Sequence, residues 1–124
     1  MTEDGQARWR HYSDAPDGEL LSDRFAHFRR PLAGFGSTGI DMSVVEMDPG
    51  QSGPKHFHDG TKEEYYVVLS GDVDVELPEE TVHGRAGTVF FFPPGATHRP
   101  INDSDDRAVF LSMRTGEGER TVLD

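Results

Sequence analysis

The strongest constraint in this chain is a pair of histidines one residue apart inside a stretch that reads as extended backbone. From Gly50 to Gly71 the sequence runs GQSGPKHFHDGTKEEYYVVLSG. Side chains two positions apart on a strand share a face. His56 and His58 therefore point the same way, about 7 Å apart along the backbone at the strand rise. A carboxylate on a neighbouring strand, from Glu63 or Glu64, would complete a set of N and O donors. Such a set suits Fe, Mn, Ni, Cu or Zn.

A second stretch answers the first. Residues 87–102 read GTVFFFPPGATHRPIN. An apolar strand leads into Pro93-Pro94-Gly95. Proline followed by glycine fits a type II turn, with Pro94 fixing φ and Gly95 supplying a positive φ. Such a turn reverses the chain and delivers His98 on a returning segment, toward the two earlier histidines.

These two stretches resemble the motifs of the cupins. The first cupin motif is G-x5-H-x-H-x3–4-E-x6-G, and Gly50, His56, His58, Glu64 and Gly71 follow it with one departure: five residues, not three or four, separate His58 from Glu64. Counting forward from His58 selects Glu63, and counting back from Gly71 selects Glu64. The backward count crosses one unbroken strand, whereas the forward count crosses the Asp59-Gly60-Thr61-Lys62 loop, where an extra residue is tolerated. Glu64 is the preferred choice and Glu63 stays open; adjacent strand residues face opposite sides, so only one can look inward. The second motif, G-x5-P-x-G-x2-H-x3-N, is met without a gap by Gly87, Pro93, Gly95, His98 and Asn102. Two motifs in order, 15 residues apart, are far more specific than one short pattern.

The resemblance implies an all-β fold, the double-stranded β-helix or cupin jelly-roll barrel, and a homodimer. It also implies one divalent transition metal per chain on His56, His58, Glu64 and His98, with Fe, Mn or Ni favoured over Zn or Cu. Four protein ligands on a six-coordinate ion leave room for a bidentate small-molecule substrate. The family setting puts an O₂-dependent dioxygenase first, then a non-redox isomerase or lyase, then a non-catalytic ligand-binding barrel. Fold alone does not choose among these.

Composition narrows the alternatives. A chain of 124 residues suits one domain. The reading is a single unit with an N-terminal arm over residues 1–37, a barrel over about 38–113 and a mobile or arm-like tail over 114–124. With no cysteine, disulfides, thiolate zinc sites and a cysteine nucleophile are excluded. The formal charge of −11 opposes nucleic acid as a partner, because phosphate binding needs a basic surface. The acidity fits a salt-adapted surface and an arginine-rich coding bias equally well. No stretch resembles a secretory leader or reaches the length of a membrane span, so the expectation is a cytoplasmic protein with no membrane partner.

Along the chain, residues 17–28 carry Leu20, Leu21, Phe25 and Phe28 at a spacing that fits a helical turn slightly better than a strand. Ile40, Met42 and Val44 alternate with polar residues, and then Val45 and Met47 take the other phase. That change signals a bulge or a strand buried on both faces. Residues 65–69 (YYVVL) are apolar on both faces, as expected for a central strand covered on both sides, one of them by a partner subunit. Val73, Val75 and Leu77 alternate with acids as a half-exposed strand. In residues 88–92 (TVFFF) either Phe90 and Phe92 or Val89 and Phe91 face inward. About eight short strands at regular turn spacing describe a β-sandwich or barrel.

Around the ligand set, Tyr66 shares the strand phase of Glu64 and is the candidate catalytic residue, as a hydrogen-bond donor into the cavity; packing in the core is its competing role. Asn102 reads as a turn or backbone-bonding residue. Arg99 neighbours His98 and should point away, Phe57 should pack outward, and His83, His11 and His27 read as surface residues. Lys62 and Asp59 lie in a loop near the mouth.

Overall fold

The structure, a computed structural model, describes residues 5, 7–9, 11–14, 28–31 and 39–123. Among them are a short 3-10 turn, Tyr12–Asp14, and ten β-strands, with no α-helix. No helix of the described residues is long and apolar enough to cross a membrane. The strands are β1 (Phe28–Pro31), β2 (Ile40–Met47), β3 (His56–His58), β4 (Glu63–Ser70), β5 (Asp72–Glu76), β6 (Thr81–Arg85), β7 (Val89–Phe92), β8 (Arg99–Ile101), β9 (Ala108–Thr115) and β10 (Arg120–Val122). The helix-or-strand question over 17–28 lies outside the described residues apart from Phe28, which begins β1, and His27 lies outside them as well.

One sheet holds β1-β2-β9-β4-β7, a second holds β6-β5-β8, and β10 pairs with β3. Every pairing is antiparallel. The core lies between the sheets, built from Val45, Met47, Tyr66, Val68, Val73, Val75, Phe92, Ala108 and Phe110. Alternation explains most of it: on β5, Val73 and Val75 are buried between half-buried acids. Burying such a side chain is worth about 1.5–3 kcal/mol, so this short strand is held by its inner face.

The phase change on β2 is a strand buried on both faces, not a bulge. Its register with β9 runs unbroken from Ile40↔Thr115 to Met47↔Ala108, and Ser43 through Met47 are all buried. A register shift falls on β4 instead, between Val68 and Ser70. On β7, Phe92 is buried and Phe90 packs against the core, while Val89 and Phe91 face outward. Gly95 has φ +86° and the Ala96 N–H donates to the Pro93 carbonyl at 3.1 Å, which closes the turn expected there.

The C-terminal segment differs from the sequence expectation. β9 runs on to Thr115, and residues 117–123 dock along the loop and strand that carry the histidine pair. The Asp59 N–H donates to the Glu119 carbonyl at 3.0 Å, and the Thr61 N–H to the Glu117 carbonyl at 2.8 Å. Gly118 is required by this contact, because a Cβ there would run into the Asp59 backbone carbonyl. Sequence reasoning saw a mobile or arm-like tail over 114–124; the hydrogen bonds that order it come from residues some sixty positions away.

On the exposed face of the smaller sheet, His83 sits between Asp74 (Nδ1 to Oδ1, 2.7 Å) and Asp72 (Nε2 to Oδ1, 3.3 Å). The hydrogen bond that His83 donates to Asp74 and the charges of both aspartates raise the His83 pKa above its ordinary value of 6.5. A raised folded-state pKa stabilises the fold fully below the unfolded value, and the contribution fades as pH rises through the folded value. NMR titration should place His83 above an unperturbed histidine, and Asp74→Asn should return it toward 6.5. An unchanged titration in that variant would refute the pairing.

Candidate metal centre

The site is assembled by one cross-strand exchange. The His56 N–H donates to the His98 carbonyl at 3.0 Å, and the His98 N–H to the His56 carbonyl at 2.9 Å. Residues that exchange both bonds are directly opposite and put their side chains on the same face. The turn at Pro93-Pro94-Gly95 is tied to the same strand, with the Gly95 N–H donating to the His58 carbonyl at 2.7 Å. His58 follows His56 on the inward phase of β3, and the two alternate with half-buried Phe57.

Glu64 is the carboxylate that meets them. It is buried, while Glu63 on the other face of β4 is exposed. Oε1 of Glu64 stands 2.8 Å from His98 Nε2, 3.2 Å from His58 Nε2 and 3.6 Å from His56 Nε2. Ligand atoms of His56, His58 and Glu64 all lie within 4.8 Å of one another, a group able to hold a metal ion. His98 joins through its contact with Glu64. Its ring lies parallel to Phe92, with centroids 3.7 Å apart, which fixes its plane.

The tautomers decide what this cluster needs. His56 Nδ1 is 2.8 Å from the Pro54 carbonyl and His98 Nδ1 is 2.9 Å from the Ala96 carbonyl. Carbonyl oxygens only accept, so each Nδ1 carries the proton, and a neutral ring then presents a lone pair at Nε2. Those lone pairs face a carboxylate, which also only accepts. Acceptors facing acceptors require a cation between them, either added protons or a metal ion. Bonding the far ring nitrogen to a backbone carbonyl is also how metal-bound imidazoles are oriented. His58 Nδ1 is buried without a hydrogen-bond partner among the described residues. The donor set fits a divalent transition metal.

The outer oxygen of Glu64 has its own support. Ser112 Oγ donates to Oε2 at 2.8 Å and Arg114 Nη1 approaches it at 3.4 Å. Arg114 also donates from Nη1 to Ser112 Oγ at 2.6 Å, from Nη2 and Nε to Asp41 Oδ2 at 2.9 and 3.1 Å, and from Nη2 to Ser43 Oγ at 3.2 Å. Burial alone would raise the Glu64 pKa, but in the metal-free site imidazoles that take up a proton on Nε2 hydrogen-bond to it, outweigh burial and hold it well below the ordinary carboxylate range. A lowered pKa contributes stability above the unfolded value, and that contribution is lost only as pH falls through the folded one.

Sequence reasoning missed Arg114, Ser112, Ser43 and Asp41. The available signal was phase: Ser112 and Arg114 continue the inward alternation of Ala108 and Phe110 on β9. Tyr66 lines the cavity and packs edge-on to Phe92 and His98, with ring centroids 4.9 and 5.4 Å away. Asn102 is fully buried and donates to the Met47 and Asp106 carbonyls, a loop-fixing role. Arg99 points away from the cavity toward Glu76, 3.8 Å distant. Exposed His11 and His83 take no part in the site. Lys62 lines the cavity, and Asp59 instead accepts from the Glu119 N–H.

Comparison with known proteins agrees with this architecture. The family model of the Cupin domain matches residues 43–114, more than half of the chain. The chain belongs to the cupin family. No curated protein matches the sequence. Among solved structures, a sugar phosphate isomerase from a cupin superfamily of Silicibacter pomeroyi DSS-3 superposes with a TM-score of 0.81 at 18% identity, over 94% of this chain and 82% of that one. The polyketide cyclase RemF from Streptomyces resistomycificus gives 0.81 at 22% identity, over 96% and 87%. A Cupin 2 conserved barrel domain protein from Salinispora arenicola CNS-205 gives 0.70 at 18% identity, over 90% and 88%. At these identities the likeness is one of fold. The cupin barrel here is the double-stranded β-helix that the two motifs imply.

Proposed function

We propose that this cupin is a metal-dependent enzyme acting on a small organic molecule, with His56, His58, Glu64 and His98 as the ligands of one divalent ion. The observation that carries the reading is the convergence of carbonyl-fixed imidazoles on one oxygen of a buried carboxylate. A bound ion would supply Lewis acidity toward substrate oxygens and, if iron, redox chemistry with O₂. The chain's own part is to hold that group rigid and to shape what approaches it. Ser112 and Arg114 fix the carboxylate plane. Tyr66, in the same cavity wall, is the candidate to hold or pass a proton. Dioxygenase chemistry is the first reading. Isomerase or lyase chemistry is the second, supported by a cavity wall with cationic side chains suited to a developing oxyanion, and by neighbours named as an isomerase and a cyclase.

Elemental analysis tests this on protein purified without added metal or nickel affinity resin, for the wild type and His58→Ala. The expected result is about one iron or manganese per chain, lost in the variant. Stoichiometric zinc or nickel would move the assignment to the second reading. A wild type that takes up no metal even after reconstitution overturns both.

The outer face of the larger sheet supports the homodimer. Tyr65 packs at a tilt against Phe91 with ring centroids 5.0 Å apart, and Val89, Phe91 and Leu69 are each close to half exposed, so an apolar patch follows the β4–β7 edge. Sedimentation should give a dimer for the wild type, and Phe91→Glu should give a folded monomer. A monomeric wild type refutes this assembly.

A further inference from the structure

The cavity wall is basic in a chain that is not. Against a formal charge of −11 with only 12 lysines and arginines, Lys62, Arg114 and Arg120 all line the cavity that contains the imidazoles. Arg114 is already neutralised by Asp41 and Glu64. Lys62 and Arg120 are not: among the described residues neither forms an ion pair. Their placement follows from strand geometry. Arg120 is the register partner of His58 in the β10–β3 pair, and cross-strand partners share a face. Lys62 lies just before β4, two positions from Glu64, and lines the same cavity. The docking of residues 117–119 on the 59–61 loop brings the segments that carry these two residues together, and both line the cavity.

Val45, Pro54, Pro100 and Phe110 give the same cavity apolar contacts, beside Tyr66, Ser112 and the Asp41 carboxylate. The volume is about 250 Å³, enough for a ligand of a few carbons. Three cations against the two carboxylates of Asp41 and Glu64 leave one net positive charge in the lining, and the two cations outside that network, with apolar side chains nearby, match an anionic head on a short hydrocarbon.

We propose that the ligand of this cavity is a small organic carboxylate, its anionic group received by Lys62 and Arg120 and its other end lying against the imidazole–Glu64 group. Only the second contact rests on the metal reading above; the carboxylate contact stands without it. A phosphate head group would use the same cations, but the small volume favours a carboxylate.

Calorimetry separates these cases, with succinate, its uncharged diamide succinamide, and inorganic phosphate titrated into manganese-loaded and metal-free protein. Succinate should bind at least about tenfold more tightly than succinamide, the scale of one charge-assisted hydrogen bond. Lys62→Gln with Arg120→Gln should abolish that preference while metal content stays at the wild-type level. Both residues lie at the cavity mouth, and Arg120 is exposed, so the double variant should fold. Equal binding of succinate and succinamide, no succinate binding, or an undiminished preference in the double variant overturns the proposal. Saturable phosphate binding without a succinate response also overturns it, in favour of a phosphate ligand. A chain that takes no metal yet prefers succinate through these two residues supports this proposal and refutes the metal centre.

Discussion

Arg114→Leu is expected to destabilise the metal-free protein by about 3 kcal/mol, the lower end of the cost of breaking a buried ion pair by removing one partner. The reason is the asymmetry of its partners. Glu64 is buried and cannot regain water, and Ser112 and Ser43 lose the donor that organises them. Asp41 is about half exposed and can turn to solvent, which limits the loss. Guanidinium denaturation should show a lower midpoint with an unchanged slope. Arg99→Leu, at a looser pair with Glu76 near the surface, should shift stability far less. An Arg114→Leu loss below about 1 kcal/mol would mean that the arginine does not support the carboxylate.

Glu64→Gln should separate folding from metal binding. The amide can keep its oxygen toward Ser112 and Arg114 and turn its NH₂ toward the Nε2 lone pairs of His98 and His56. The closest acceptor–acceptor contact, at His98, then becomes a hydrogen bond, so the metal-free variant should fold with stability within about 1 kcal/mol of wild type. Metal affinity should fall at least about a hundredfold, equivalent to about 2.7 kcal/mol, because the anionic ligand is gone. Thermal melts with and without manganese read both quantities: wild type should gain stability with metal and the variant should not. A variant that still takes up metal at wild-type affinity would remove Glu64 from the ligand set.

The histidine and glutamate cluster was legible because its parts are local. A His-x-His on a strand, a Pro-Gly turn three residues before His98, and a rigid count from Glu64 to Gly71 each depend on backbone periodicity over a few residues. The choice of Glu64 over Glu63 came from the count back from Gly71 along one unbroken strand, with periodicity requiring only that one of the two face the histidines.

What only the tertiary structure decided is everything carried by pairing between distant strands. Arg114 meets Asp41 across 73 positions and Glu64 across 50, and neither relation leaves a local pattern. The phase of β7 was undecidable from residues 88–92, where both faces are apolar; pairing with β4 turned Phe92 toward His98 and Phe91 toward Tyr65. The tail looked structureless because its order comes from hydrogen bonds to the 59–61 loop, and that docking brings Arg120 to the cavity. The sequence alone determined an all-β sandwich or barrel, because strand period and turn chemistry are properties of neighbours, and its resemblance to the cupin motifs implied which residues converge in it. Their supports and the charge of the surrounding cavity depended on register, which is a property of the whole sheet.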